Sequence, residues 1–403
     1  MHIAIIVRRL DRASGVERLA LSLGRALTQR GHRITYYTFY YDRTKLFPDM
    51  RDLGPVVALN QGASRFEQLV QNVPVLSACV RAWCDTRRAH ALALRIDPTI
   101  DLLNPHDHGV YQVAAYFKRY VRTVPSVWVM DDMPTRRFGQ MRREACGEKP
   151  AGLVRRVLNA SIDKIDYIHF IRTQDRIAVL DDRDREWVRK YFGKDARVIR
   201  SGTNLEQFPY RARTHASDPV NLLMTGIFFP HRRFEDAIAA LALLHAEGIP
   251  ARLNIAGQYR REDPYVQKIL RLIQELHVDA SVKLLGRVSD EELVQLYQEA
   301  DLFLFPNHLQ SWGLAVFEAL SSGLPAIVST SAGAAEVLHD RETALLVPPK
   351  NPQALKEAVV TLCKDRELYR RLSLQGRHLV AHEMTWQHTA EQFEDLCKNI
   401  HTL

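Results

Sequence analysis

Three groups of residues have the types and spacing to do chemistry. The first is the loop Gln310-Ser311-Trp312-Gly313-Leu314, with Glu318 four residues beyond its end. The apolar run 301–305 before it reads as a buried strand, and Leu314, Phe317 and Leu320 recur at helical spacing up to Gly323. The loop then lies at a helix N-terminus, where free backbone N–H groups and the helix dipole favour an anion. Glu318, one turn into that helix, is a poor phosphate ligand but a good acceptor for sugar hydroxyls. The second group is Arg232-Arg233, in the loop after a strand-like stretch that ends at Gly226. Guanidinium groups grip phosphate through paired hydrogen bonds. The third group is His106-Asp107-His108 and the carboxylate pair Asp131-Asp132, each at the carboxyl end of an apolar run. Parallel sheets bind ligands at that end. His-x-His spacing suits a metal, yet no third ligand is evident nearby, so no metal is expected. Asp131 and Asp132 can accept hydroxyl hydrogen bonds, and Asp132 equally suits a turn or a helix cap.

Alternating strands and helices must position these groups. Residues 2–7 read as a strand, 8–14 as a polar loop, and Gly15 opens a helix with apolar residues at 16, 19, 20, 23 and 27. A strand at 34–41 completes a Rossmann-like opening. Gly15 lets backbone approach a phosphate, but a lone glycine excludes the G-x-G-x-x-G dinucleotide fingerprint. Residues 64–96 read as a basic helix, and further strands are expected near 101–105, 124–130, 176–180 and 196–199. The stretch 205–219 is polar and aperiodic and marks a boundary. A second Rossmann-like unit follows, with a strand at 220–226, a helix at 235–247, a strand at 251–256 and a strand at 282–286. Ser289-Asp290-Glu291-Glu292 is a capping box. Helices from 352 to about 377 precede a last helix that carries Trp386, Phe393 and Leu396.

A chain of 403 residues is too long for one core. The pattern predicts an α/β protein of two Rossmann-like domains: 1–204 joined by 385–403, and 205–384. The five cysteines are scattered and odd in number, which reads as reduced thiols in the cytoplasm. No run is long enough to span a membrane, and the apolar start is too short for a signal peptide. Charge is uneven: residues 1–200 carry +13 and the remainder −5, for a net +8. The basic half suits an anionic membrane or acceptor, and the absence of an aromatic ladder argues against nucleic acid. Residues 135–158 interleave six arginines with Phe138, Met141, Leu153, Val154, Val157 and Leu158. That stretch reads as membrane-facing, acceptor-facing or a solvated basic face.

The segment around Glu318 closely resembles the donor-site signature of glycosyltransferase family four, whose members are retaining enzymes of the GT-B fold. In that family two Glu residues eight positions apart flank a Trp-Gly-Leu-type loop and hold a nucleotide sugar. Here Gln310 stands at the first Glu and Glu318 at the second. The resemblance extends more weakly along the chain. Ser14-Gly15-Val16-Glu17-Arg18 is similar to the family's Gly-Gly-x-Glu-Arg, with one Gly lost. Ser201-Gly202-Thr203-Asn204 is similar to its hinge. Asp131 falls where the family often has a His near the reaction centre. Gly226 precedes Ile227, which replaces the family's Arg, while Arg232 falls at its Lys and Arg233 at a usual Gly.

The resemblance implies a GT-B fold, with the second domain binding a UDP- or GDP-sugar and the first binding the acceptor. It implies transfer of the sugar, with retention and without metal or cofactor, in cell-envelope polysaccharide or glycolipid synthesis. Arg232 and Arg233 would neutralise the departing diphosphate, and Glu318 would accept the ribose hydroxyls. Gln310, Gly313 and Leu314 would hold the sugar or phosphate, and backbone near Arg287 the base. His106, His108 and Asp132 would face acceptor or sugar. The acceptor would be carbohydrate or lipid-linked, with membrane contact peripheral at most. A sugar-nucleotide epimerase and a catalytically silent nucleotide-sugar binder are the competing readings, the latter because Gln310, Ile227 and Asp131 depart from the common pattern.

Overall fold

The computed structural model describes residues 1–12, 14–52, 54–60, 74–309, 312–398 and 400. The chain forms two compact units. One comprises Met1–Gln140, Ala151–Ser201 and Trp386–Leu403, and the other Met141–Pro150 and Gly202–Thr385.

The first unit opens with β1 (His2–Leu10), α1 (Gly15–Gln29) and β2 (Arg33–Tyr41). β1 runs three residues past its expected end because it stays paired to β2, with Arg9 opposite Tyr40 and Leu10 opposite Tyr41. The Arg9 guanidinium covers the Tyr40 ring at 4.3 Å and pairs with Asp11, so the two arginines read as loop are strand. Then come β3 (Val56–Ala58), α2 (Pro74–Ala93), β4 (Leu102–Pro105), α3 (Tyr111–Tyr120) and β5 (Val127–Met130). The expected helix at 64–96 is thus α2, and 61–73 lie outside the described residues. The chain continues through α4 (Arg136–Ala145), of which only 136–140 belong to this unit, then α5 (Leu153–His169), β6 (Arg176–Val179), α6 (Asp182–Phe192) and β7 (Arg197–Val198). Strand order is 3-2-1-4 in one parallel sheet and 5-6-7 in another. Parallel bridges Leu103–Ser126 and His106–Val129 join the two edges.

Strands buried on both faces read as continuous apolar runs. Ile3, Ile5 and Val7 face α1 with Leu23 and Leu27, while Ala4 and Ile6 face α2 and α3 with Leu92 and Val113. The last helix, α13 (Trp386–Lys398), places Ala390, Phe393 and Cys397 in the α1-side core. Arg30 donates two hydrogen bonds to Glu394, at 2.8 and 2.9 Å, and His32 lies 2.9 Å from the same carboxylate.

The second unit has one six-stranded parallel sheet, in order β10-β9-β8-β11-β12-β13. Its elements are β8 (Val220–Thr225), α7 (Phe234–Ala246), β9 (Ala251–Ala256), α8 (Pro264–Glu275), β10 (Val282–Gly286), α9 (Asp290–Glu299), β11 (Leu302–Phe305), α10 (Leu314–Ser321), β12 (Ala326–Ser329), β13 (Leu345–Val347), α11 (Pro352–Lys364) and α12 (Arg366–Glu383). The capping box forms as expected: Ser289 accepts from the Glu292 N–H, and the Glu292 carboxylate accepts from the Ser289 N–H. Both units therefore share the doubly wound order in which sheet direction reverses between the first and fourth strands. Loops leaving those two strands are the natural ligand site.

Candidate functional site

In the second unit the reversal falls between β8 and β11, and the loops after them are stitched together. β8 ends at Gly226, whose φ of +146° disfavours any other residue. A Cβ there would lie 3.2 Å from Nε and 3.4 Å from Cζ of Arg232, so the missing side chain is the bed for that guanidinium. Asn307, 1% exposed just beyond β11, fixes it from the other side. With the amide oriented so that both of its ends are satisfied, its N–H donates to the Arg232 carbonyl at 3.1 Å and its oxygen accepts from Arg232 Nη1 at 2.9 Å. The His308 N–H donates to the His231 carbonyl at 2.7 Å. Ser331, after β12, accepts from the Leu309 N–H at 2.9 Å and lies 3.1 Å from His308 Nδ1. Three strand ends thus hold one arginine at the sheet's reversal.

The start of α10 is equally constrained. Trp312 is buried and stacks on Phe317 at 4.7 Å, and its carbonyl accepts from the Ala334 N–H. Gly313, the N-cap, has φ +122°, and a Cβ there would meet Phe305 Cζ at 2.8 Å. The Val316 N–H donates to the Gly313 carbonyl at 3.0 Å, whereas the N–H groups of Leu314 and Ala315 come too early in the helix for a partner within it. Glu318 is half-buried, and the buried Tyr297 hydroxyl donates to its Oε2 at 2.9 Å. This bond orients the carboxylate. Gln310 lies outside the described residues. Arg287 is exposed just beyond β10.

Arg233 departs from the expectation that it joins Arg232 on a phosphate. It takes a left-handed backbone at φ +56° as the N-cap of α7, and its fork turns back onto that helix. Nε and Nη2 donate to Asp236 at 2.9 and 2.6 Å, and Nη1 donates to Glu235 at 2.9 Å. Glu235 also accepts from the Tyr265 hydroxyl at 2.5 Å and from Lys268 at 3.2 Å. Arg233 is the counter-ion of two buried acids.

The first-unit candidates gather at the ends of β1, β4 and β5, but most face inward. His106 is buried. One ring nitrogen lies 2.8 Å from Asn104 Oδ1, and Nδ1 has no hydrogen-bond partner among the described residues. Burial lowers its pKa to about 3, so it is neutral. Asp131 has both carboxyl oxygens shut off from solvent and, among the described residues, without a hydrogen-bond partner. Burial, and then the charges of Asp107, Glu17 and Asp132, drive its pKa far up, so the carboxyl is protonated. Both side chains line a cavity of about 20 Å³ with Leu19, Ser201 and Trp386. Asp131 is therefore a neutral core group rather than a presented hydroxyl acceptor. Asp132 Oδ1 accepts from the Met133 N–H, as a turn residue does. His108 is partly exposed, with Nε2 2.9 Å from the Asp132 carbonyl. Gly15 is exposed as the first residue of α1.

Asn307 and Tyr297 are the functional neighbours that sequence reasoning missed. A polar residue directly after an all-apolar strand is a signal for Asn307; nothing in the sequence marks Tyr297 as Glu318's partner.

The described residues contain no group of three or more His, Cys, Asp or Glu that could hold a metal. No helix among them is long and apolar enough to cross a membrane.

These loops lie inside the stretch 209–379, which matches the family model of glycosyl transferases group 1. The chain is 25% identical to the glycogen synthase of Mycobacterium tuberculosis over 55% of its own length and 53% of that enzyme's. It spans about half the length of the curated relatives it matches. Among solved structures it is similar over its full length to sucrose-phosphate synthase from Thermosynechococcus elongatus, with a TM-score of 0.74, 18% identity and complete coverage of both chains. It is also similar to Anabaena HepE, solved with UDP and glucose, with a TM-score of 0.71, 16% identity and coverage of 99% and 100%. These likenesses show the fold, which is GT-B.

Proposed function

We propose that this protein is a glycosyltransferase that takes a sugar from a nucleoside-diphosphate donor and passes it to a hydroxyl of a carbohydrate or lipid-linked acceptor. The observation that carries this reading is the Arg232 guanidinium, seated on Gly226 and gripped by Asn307 at the reversal of the second sheet. A fixed cation there meets the charge that grows on the leaving diphosphate, and pre-organised electrostatics is usually the largest catalytic term. The first-turn N–H groups of α10 add partial positive charge. Glu318, oriented by Tyr297, accepts the ribose hydroxyls. As the acceptor oxygen bonds to the anomeric carbon, the bond to the diphosphate breaks with its electron pair. The acceptor proton passes to the leaving phosphate on the same face, which retains configuration. No metal is required. The setting is cell-envelope polysaccharide or glycolipid synthesis.

The test is calorimetric titration of UDP and GDP, followed by donor turnover, both in EDTA. UDP is tried first, because HepE was solved with it. One diphosphate should bind, and Glu318→Ala should weaken it by about 1.5–3 kcal/mol. Arg232→Ala should lower kcat for donor consumption by roughly 10²–10³-fold, with Arg232→Lys recovering part. Binding without turnover would favour the silent binder, an isomerised donor the epimerase, and loss of turnover in EDTA restored by Mn²⁺ would overturn the metal-free mechanism.

A further inference from the structure

Helix α5 is amphipathic in the reverse sense. Its inward face is polar. Asp163 accepts from the N–H groups of Arg136 and Arg137, at 2.8 and 3.1 Å, and so caps the start of α4. Asn159 donates to Gln140 at 2.9 Å, and Asp166 accepts from the Tyr111 hydroxyl and from Gln112. The outward face is apolar: Val154, Val157, Leu158 and Ile165 are each between 54% and 83% exposed. At 3.6 residues per turn these four fall within an arc of about 100°, opposite Asn159 and Asp163. Leu153 extends the patch at the helix start and is also exposed. Isolated exposed apolar residues need no explanation, but four on one helix face, with only the exposed Ser161 among them, do. The polar contacts beneath it fix the helix, so the stripe cannot roll inward.

The charges around the stripe are of one sign. Arg155 lies on one flank of the stripe and Lys164 on the other. The helix's two acids, Asp163 and Asp166, are turned inward. An apolar stripe between cations, on a helix fixed to a folded unit, matches the boundary of an anionic bilayer, where acyl chains lie beneath acidic headgroups.

We propose that the outward face of α5 is a membrane-docking surface that seats the first unit on anionic lipid. The apolar side chains enter the acyl boundary, and Arg155 and Lys164 meet the headgroups. The stripe belongs to the first unit and the donor-binding loops to the second, so substitutions in one should leave the other's binding intact.

The test is co-sedimentation of the full chain with vesicles of phosphatidylcholine alone, or containing about 30% phosphatidylglycerol. The wild type should sediment with the anionic vesicles and largely remain in solution with the neutral ones. Raising salt from about 0.1 to 0.5 M should weaken binding, because the screening length shortens. Val154→Ser with Leu158→Ser should weaken binding roughly tenfold or more, since two largely exposed side chains lose their acyl contacts. Arg155→Glu with Lys164→Glu should abolish the preference for anionic lipid. All four side chains are exposed, so the variants should fold, and a circular-dichroism melt unchanged from the wild type reports that they do. A wild type that stays in solution with anionic vesicles overturns the proposal, as does a serine variant that binds like the wild type. A wild-type dimer that the serine variant converts to monomer, by light scattering, would assign the stripe to a second copy of the chain instead.

Discussion

Arg233→Ala separates two roles for the arginine pair, and the structure sets the size of the effect. Arg233 is 13% exposed in its side chain, and the carboxylates it holds are 10% exposed at Glu235 and 5% at Asp236. Removing one partner of a buried pair costs about 3–5 kcal/mol, because the other charge stays behind. Two features reduce that here. Lys268 and the Tyr265 hydroxyl still serve Glu235. Asp236, whose pKa burial already raises against the pull of Arg233, can take up a proton. A loss of roughly 2–3 kcal/mol remains, or about 4–12 °C in the melting temperature of a unit this size. The deficit should also depend on pH in a definite sense. Without the cation, Asp236 in the folded state titrates still further above its unfolded value. The penalty is then full above the folded pKa and shrinks as pH falls through it. Urea melts of the wild type, Arg233→Ala and Arg233→Ala/Asp236→Asn between pH 5 and 8 measure this, and the double variant should recover part of the loss. If Arg233→Ala melts like the wild type and instead loses nucleoside-diphosphate affinity, Arg233 is a phosphate ligand and the counter-ion assignment is wrong.

Gly226→Ala should fold with a penalty of about 1–2 kcal/mol for its backbone angle and lower donor turnover well beyond what that penalty explains, because the new Cβ pushes on Arg232; turnover equal to the wild type would mean that the guanidinium need not sit on Gly226. Glu394 has its pKa lowered to about 2, chiefly by its hydrogen bonds with Arg30. Its contribution is therefore present above the unfolded carboxylate range and lost as pH falls toward 2. Glu394→Gln should cost at most about 1 kcal/mol at pH 7 and clearly less near pH 2.5, read from denaturant midpoints; an equal deficit at both pH values would show that packing, not charge, is what the substitution removes.

Much of the architecture was legible because parallel strands are buried on both faces and announce themselves as apolar runs between turn residues. The start of α10 was legible for the same reason, since Gly313 and the Leu314–Phe317–Leu320 spacing are local signals. The three-residue strands β3 and β13 were not, because so short a segment shows no period. Long-range partners were not legible either. Whether Arg232 meets Asn307, or Asp131 faces solvent or a cavity, depends on which strand ends become neighbours. Arg233 carried an overlooked local clue: Glu235 and Asp236 follow two and three residues later, and an acid three residues on lies within reach of an arginine at a helix start. The stretch 135–158 was read by its arginines, and only the direction of Asn159 and Asp163 shows that Leu153, Val154, Val157 and Leu158 point outward while Phe138 is buried.

The docking of α13 onto α1 bears on synthesis as well as on stability. The first unit is discontinuous: its chain leaves at Ser201 and returns at Trp386. Ala390, Phe393 and Cys397 supply core that Leu23 and Leu27 of α1 otherwise lack. Domains emerging from the ribosome ordinarily complete themselves from the N-terminal end. Here residues 202–385 can close their own sheet while the earlier-made unit still has one side of its core open, waiting for the last helix. A stalled chain that ends between residues 385 and 398, extended by a flexible linker long enough to clear the exit tunnel, should therefore carry a folded second unit and a protease-sensitive first one, the reverse of the order in which they were made.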